Sequence, residues 1–246
     1  MTSTGRERVL ARIRAAIGEA GSPGEEAPDG IPRTYLSAHR SEDPAALLDL
    51  LHENLVDYRA VVHRTTEHEL PATVARLLAE HGSRTVAVPA DLPPGWLALA
   101  VAGAAVQAVV DDGALTAAQL DSVDSVLTGC ALAVAETGTI VLDAGAAQGR
   151  RLLTLVPDHH ICVIRAPGQI VASLPRALPL LDPVRPQTWI SGPSATSDIE
   201  LDRVEGVHGP RTLEVVLVTG SRGRPGPSGA TRLSPGRRGR GPHGPE

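Results

Sequence analysis

Ala135-Glu136-Thr137-Gly138-Thr139-Ile140-Val141-Leu142 sets a hydroxyl- and glycine-rich turn inside a β-prone run, and Ile190-Ser191-Gly192-Pro193-Ser194-Ala195-Thr196-Ser197-Asp198-Ile199-Glu200 repeats the arrangement downstream. Polar groups inside an apolar stretch must be satisfied or face a cavity. In an α/β protein such turns line a crevice at the ends of strands, where ligands bind. Around these turns the chain alternates. Helices are predicted over 43–58, with Asp43-Pro44 as N-cap and first turn, and over 67–81, closed by Gly82. A smaller helix is predicted over 94–103, another over 114–120, and an irregular one over 167–178 that contains Pro175. Short apolar strands are predicted over 59–63, 85–88, 106–110, 131–135, 139–142, 160–165, 188–191 and 213–219. Alternation of this kind predicts an α/β fold with a mostly parallel sheet flanked by helices.

Three regions follow from the pattern: an N-terminal helix and flexible linker over 1–33, an α/β domain over 34–219, and a disordered tail over 220–246. The first helix, 6–20, carries Val9, Ile13, Ala16 and Ile17 at helical spacing. The tail holds six Arg against one Glu and almost no apolar residues, so it cannot offset the entropy of ordering.

Composition narrows the chemistry. All 23 basic residues are Arg, which excludes a lysine Schiff base and a Walker A lysine. With no Phe, two Trp and two Tyr, base-stacking platforms for nucleic acid are largely missing. The two cysteines, Cys130 and Cys162, lie in apolar runs and read as buried, inert thiols; two cannot hold a Fe–S cluster or a Cys₄ zinc site alone. The most apolar run, 95–110, is shorter than the roughly 20 residues a membrane span needs. A cytoplasmic protein with no membrane span is expected.

The candidate ligand-binding residues are Thr137, Gly138, Thr139, Ser191, Gly192, Ser194, Thr196 and Asp198. Gly138 permits close approach or positive φ, and successive N–H groups with threonine hydroxyls suit a carboxylate or other anion. Ser191 to Ser194 is read as a strand running through a turn into a helix N-terminus, an anion cradle. Glu136 is the candidate base or nucleophile, and His208, in Val207-His208-Gly209-Pro210, the candidate acid/base. Structural readings stand beside these: a solvated hairpin turn at 136–139, a capping box from Ser197 to Glu200, and a turn histidine at 208. Arg150-Arg151 fits a carboxylate or phosphate, or an exposed loop. His159 and His160, as neighbours on a strand, point to opposite faces, and no metal site is expected.

These words carry a resemblance. Arg8-Val9-Leu10-Ala11-Arg12-Ile13-Arg14-Ala15-Ala16, the 135–142 and 190–200 stretches, Pro157-Asp158-His159-His160-Ile161-Cys162-Val163 and Gly206-Val207-His208-Gly209-Pro210 resemble, in order, the lactate-utilisation protein C family of LUD domain proteins. The resemblance implies a fold like that of CoA transferases and ribose-5-phosphate isomerase. It implies a non-redox part in oxidising L-lactate to pyruvate, beside partner proteins that carry Fe–S clusters, with no cofactor in this chain. A stand-alone isomerase or acyl-transferase-like enzyme, and a non-catalytic small-molecule scaffold, remain open alternatives. The family's segment after Ile170-Val171 should be a regular helix, where this chain has Pro175.

Overall fold

The computed structural model describes residues 5–19, 36, 42–196, 204–205 and 209–220. The chain divides into two units, Met1–Leu36 and Ser37–Glu246. In the first lies α1 (Gly5–Glu19), the expected amphipathic helix. The second opens with α2 (Pro44–Asp57), β1 (Val61–Thr66), α3 (Leu70–Glu80), β2 (Thr85–Pro89), α4 (Ala98–Ala102), β3 (Gln107–Asp111), α5 (Ala117–Asp121) and β4 (Ser125–Thr128). β5 (Leu132–Val134) and β6 (Thr139–Leu142) break the alternation as a hairpin. After them come α6 (Arg151–Leu155), β7 (His159–Ala166), β8 (Ile170–Val171), α7 (Leu174–Ala177), β9 (Thr188–Ile190), β10 (Ala195–Thr196), β11 (Val204–Glu205) and β12 (Thr212–Thr219).

Six strands form the expected parallel sheet, in the order β1-β12-β7-β4-β2-β3. β5, β6, β8 and β9 do not join it. They make a separate four-stranded sheet, β8-β5-β6-β9, in which β6 runs antiparallel to both neighbours. Both polar turns singled out in the sequence therefore belong to this second sheet. The two-residue periodicity of a strand sorts the core. Val86, Val88, Leu127, Ile161, Val163, Val216 and Val218 face α3 and α4. Cys162, Ile164, Val215 and Leu217 face α2 and the inner residues Ala133 and Ile140 of the second sheet.

Local chemistry sets the helix ends. Asp43 caps α2 by accepting from the Ala46 N–H at 2.9 Å, and Leu47, Leu51 and Leu55 bury one stripe. Arg59, at φ +66°, turns the chain sharply, so β1 starts at Val61 instead of the expected 59. Gly82, at φ +73°, closes the segment after α3. α5 carries a capping box between Thr116 and Gln119. The expected irregular helix over 167–178 resolves into β8 and α7. Pro175 falls in the first turn of α7, where its missing N–H would have no helical partner, so the departure at this position costs nothing. Asp124 ties β2 to β4 by accepting from the Arg84 N–H and Thr85 N–H, both at 2.9 Å. Burial alone would raise its carboxyl; these hydrogen bonds outweigh burial and hold it below the usual range. Among the described residues no helix is long and apolar enough to cross a membrane.

Candidate functional site

The two turns meet. β6 pairs with β9 so that Ile140 lies opposite Ile190, and Thr139 Oγ1 sits 2.8 Å from Ser191 Oγ and 2.8 Å from Thr137 Oγ1. The first turn is fastened from beneath. Asn54 Nδ2 of α2 donates to the carbonyls of Ala135 (2.7 Å) and Glu136 (3.1 Å), and the Glu136 N–H donates to Ala172 O. Gly138 adopts φ +59°, and a Cβ there would lie 2.9 Å from Asn54 Cβ. Its close approach is to α2. Glu136 is half-buried, Thr137 exposed and Thr139 buried.

The second turn differs from its expected shape. Ser191 to Ser194 runs first into β10, a strand paired with β11, and the helix start expected at Ser197 lies outside the described residues. Ser194 N–H donates to Pro210 O at 2.8 Å, tying the turn to the start of β12. The side chain of Thr196, and all of Ser197, Asp198, Glu200 and His208, lie outside the described residues.

A cavity of about 270 Å³ opens beside this turn. Its walls are Ser191 to Ser194, β9, Thr154 and Leu155 of α6, Pro210 and Leu213, and His160 of β7. Of the sequence candidates it gathers Ser191, Gly192 and Ser194. The Glu136 turn supplies none of these walls; its Thr139 meets Ser191, which does. His160 and Leu213 are each second in their strands, so the cavity sits at the amino ends of β7 and β12. Open α/β sheets more often bind ligands at the carboxyl ends.

His160 is the residue that sequence reasoning did not assign to the site. The period of two gave it the opposite face from His159, and nothing local told which face carries the hollow. Its side chain is fully buried; Nε2 lies 2.8 Å from Thr128 Oγ1, and Nδ1 has no partner among the described residues. Burial, then the neighbouring His159, lowers its pKa to about 3, so the ring is neutral at physiological pH.

His159 points the other way, into a buried polar cluster. Its Nδ1 lies 2.7 Å from Ser125 Oγ, its Nε2 lies 3.3 Å from Glu214 Oε1, and the His81 ring stacks on it at 3.9 Å. Glu214 also meets His63 Nε2 at 2.7 Å. Burial would raise the Glu214 carboxyl; His159, then His63, outweigh it and hold it below the usual carboxylate range. A depressed carboxylate adds stability above its unfolded pKa, and that stability is lost as pH falls through the folded one. We expect Glu214→Gln to unfold in urea with about 1.5–3 kcal/mol less stability at pH 7. The gap should close below roughly pH 4. A gap unchanged at pH 3.5 would refute the assignment. Among the described residues no three His, Cys, Asp or Glu side chains group to hold a metal.

The arginine pair divides. Arg150 is structural: its Nε donates to Asp111 at 2.8 Å, its Nη2 to the same carboxylate at 3.0 Å, and it also reaches Leu115 O. Arg151 is exposed at the start of α6. Cys130 and Cys162 are buried in the core, as expected, and the neighbouring Cys162 thiol, with burial, pushes the Cys130 thiol up.

An α/β unit of this topology, with its second sheet and polar cavity, corresponds to a known domain: the LUD domain profile matches residues 48–218, and the chain belongs to the LUD domain family. A protein of Deinococcus radiodurans named Lactate utilization protein C is 42% identical over 221 residues, covering 88% of this chain and 97% of that protein. The Lactate utilization protein C of Anoxybacillus flavithermus is 24% identical over 219 residues, covering 87% and 99%. The crystal structure of a DUF162 family protein from Deinococcus radiodurans superposes with a TM-score of 0.61 at 40% identity, covering 72% of this chain and 99% of that one.

Proposed function

We propose that this chain is a cytoplasmic, non-redox component of lactate utilisation that binds a small carboxylate in the His160 cavity. The names of its relatives support the pathway, and the cavity carries the binding reading. It is small and polar-walled, and its lining includes His160, a neutral histidine whose buried Nδ1 has no partner among the described residues. Buried polar atoms in native proteins nearly always have a partner, and a ligand is one way to supply it. Oxidising L-lactate to pyruvate removes two electrons and two protons. A chain with two buried thiols lacks the ligands for a Fe–S cluster, so in this reading the electrons pass to clusters on partner proteins. Ser191, Gly192 and Ser194 shape the cavity wall, and Thr139, within hydrogen-bond distance of Ser191, ties the turn of Glu136 and Thr137 to it.

Calorimetry of the purified chain with L-lactate and pyruvate tests the binding. Saturable heat from either acid is expected. Ser191→Ala with Ser194→Ala should weaken it by about tenfold, the value of one or two neutral hydrogen bonds. No heat from either acid would remove the binding reading and leave a scaffold that brings partner subunits together.

A further inference from the structure

The geometry points to His160 as a neutral donor, protonated at Nδ1, that reads an oxygen of the bound acid, while Arg151 takes its carboxylate. The ligand class is then a small monocarboxylate with a second oxygen on the adjacent carbon. This rests on the reading above, that the cavity holds a small carboxylate, and adds which atoms recognise it.

Proton counting fixes the tautomer. Thr128 is fully buried, and its hydroxyl has His160 Nε2 as its sole hydrogen-bond partner among the described residues. A buried hydroxyl proton left unbonded is costly, so the hydroxyl donates and Nε2 accepts. A neutral imidazole carries one proton, and Nε2 is occupied as an acceptor. The proton is on Nδ1, the atom without a partner. Burial keeps the ring neutral through the physiological range. His160 lines the cavity; turned toward it, this fixed, uncharged N–H suits an oxygen acceptor.

Charge comes from the rim. Arg64, Arg76, Arg150, Arg165, Arg176, Arg185 and Arg211 each hold a carboxylate of this chain. Arg151 holds none among the described residues. It lines a small cleft whose other walls include Thr154 and Thr188, and both of these residues also wall the main cavity. Thr154 lies one turn after Arg151 on α6, so the guanidinium and the cavity wall share a face of that helix. A guanidinium left unpaired beside a polar hollow is suited to a carboxylate.

Two measurements test this separately from the parent reading. Long-range ¹H–¹⁵N correlation of the labelled wild-type protein at pH 7 should show His160 neutral and protonated at Nδ1. An Nε2–H tautomer overturns the inference whether or not any acid binds. Calorimetry then compares pyruvate with propionate, which lacks the second oxygen. Pyruvate should bind the wild type about tenfold or more tightly than propionate, because a buried donor left unpaired rejects the analogue. Arg151→Gln, at an exposed position, should weaken both acids by a similar factor, whereas Thr128→Val, which releases the tautomer, should narrow the gap between them. Equal binding of both acids to the wild type, or unaltered affinity in Arg151→Gln, overturns the inference while leaving carboxylate binding standing. Absence of heat from either acid takes down both.

Discussion

Gly192→Ala is expected to destabilise the fold by about 3 kcal/mol, lowering the melting temperature by roughly 6–12 °C for a domain of this size. Two costs combine. The backbone at Gly192 has φ +85°, which an L side chain rarely adopts, and a Cβ there would press on Tyr58, 2.9 Å from its Cβ and against its carbonyl oxygen. Neither neighbour is the free end of a flexible side chain. Tyr58 caps the C-terminus of α2, the helix that carries Leu47, Leu51 and Leu55 into the core. The clash with the Tyr58 backbone therefore bears on the end of the helix that anchors a main apolar cluster. Gly103→Ala is the control: φ there is −86° and a Cβ would touch nothing within 4 Å, so thermal unfolding should shift by less than about 0.5 kcal/mol in equivalent stability. Equal melting of Gly192→Ala and the wild type would show that the turn does not rest on α2.

This contact also shows where sequence reading stops. That Gly138 and Gly192 sit in turns was legible from their neighbours, and for Gly138 a close approach or positive φ was legible as well. That the approaching object is one helix end, at Asn54 and Tyr58, depends on pairings far apart in sequence. The same limit hid the second sheet. Ala131 to Leu142 reads as two strands, and it is, but β5 finds β8 and β6 finds β9 across long separations, which no local period encodes. β4 went unread for another reason. Ser125-Val126-Leu127-Thr128 is short and polar at both ends, and those ends serve His159 and His160. By contrast, α2 and α3 follow from leucine spacing and caps, and the opposite facing of His159 and His160 follows from strand geometry alone. Of the site, Ser191, Gly192 and Ser194 were found in the sequence. The fit of the Arg150-Arg151 pair to a carboxylate was legible too, but His160 and Thr154 come to wall the same cavity as that turn only once α6, β7 and β9 are assembled.

Acid should weaken the fold mainly through His160, in a window set by its burial. Its folded-state pKa of about 3 lies far below the roughly 6.5 of an unfolded histidine, so the unfolded chain takes up the proton first. Stability is intact above about pH 6.5 and falls as pH drops, by up to roughly 1.4 kcal/mol per pH unit, until the folded state too can be protonated near pH 3. Glu214 acts in the same direction but in a lower range, because its loss begins only near the unfolded carboxylate pKa of about 4.3. The slope between pH 6.5 and 4.5 therefore isolates histidine. His81, lowered by burial and by the stacked His159, contributes there as well, and His81→Gln subtracts it. His160→Gln keeps a side chain that can donate and accept but cannot be charged. Its urea midpoint should start lower at pH 7, for lost packing in the core, and then decline less steeply toward pH 4.5 than that of His81→Gln. Parallel lines for wild type and His160→Gln across that interval would mean that protonation meets the same cost with and without the ring, and that the imidazole is not held neutral by its surroundings. A bound acid would meet the same atom through its second oxygen: Nδ1 already carries its proton, so an uncharged acceptor placed against it is satisfied without asking the buried site to carry a positive charge.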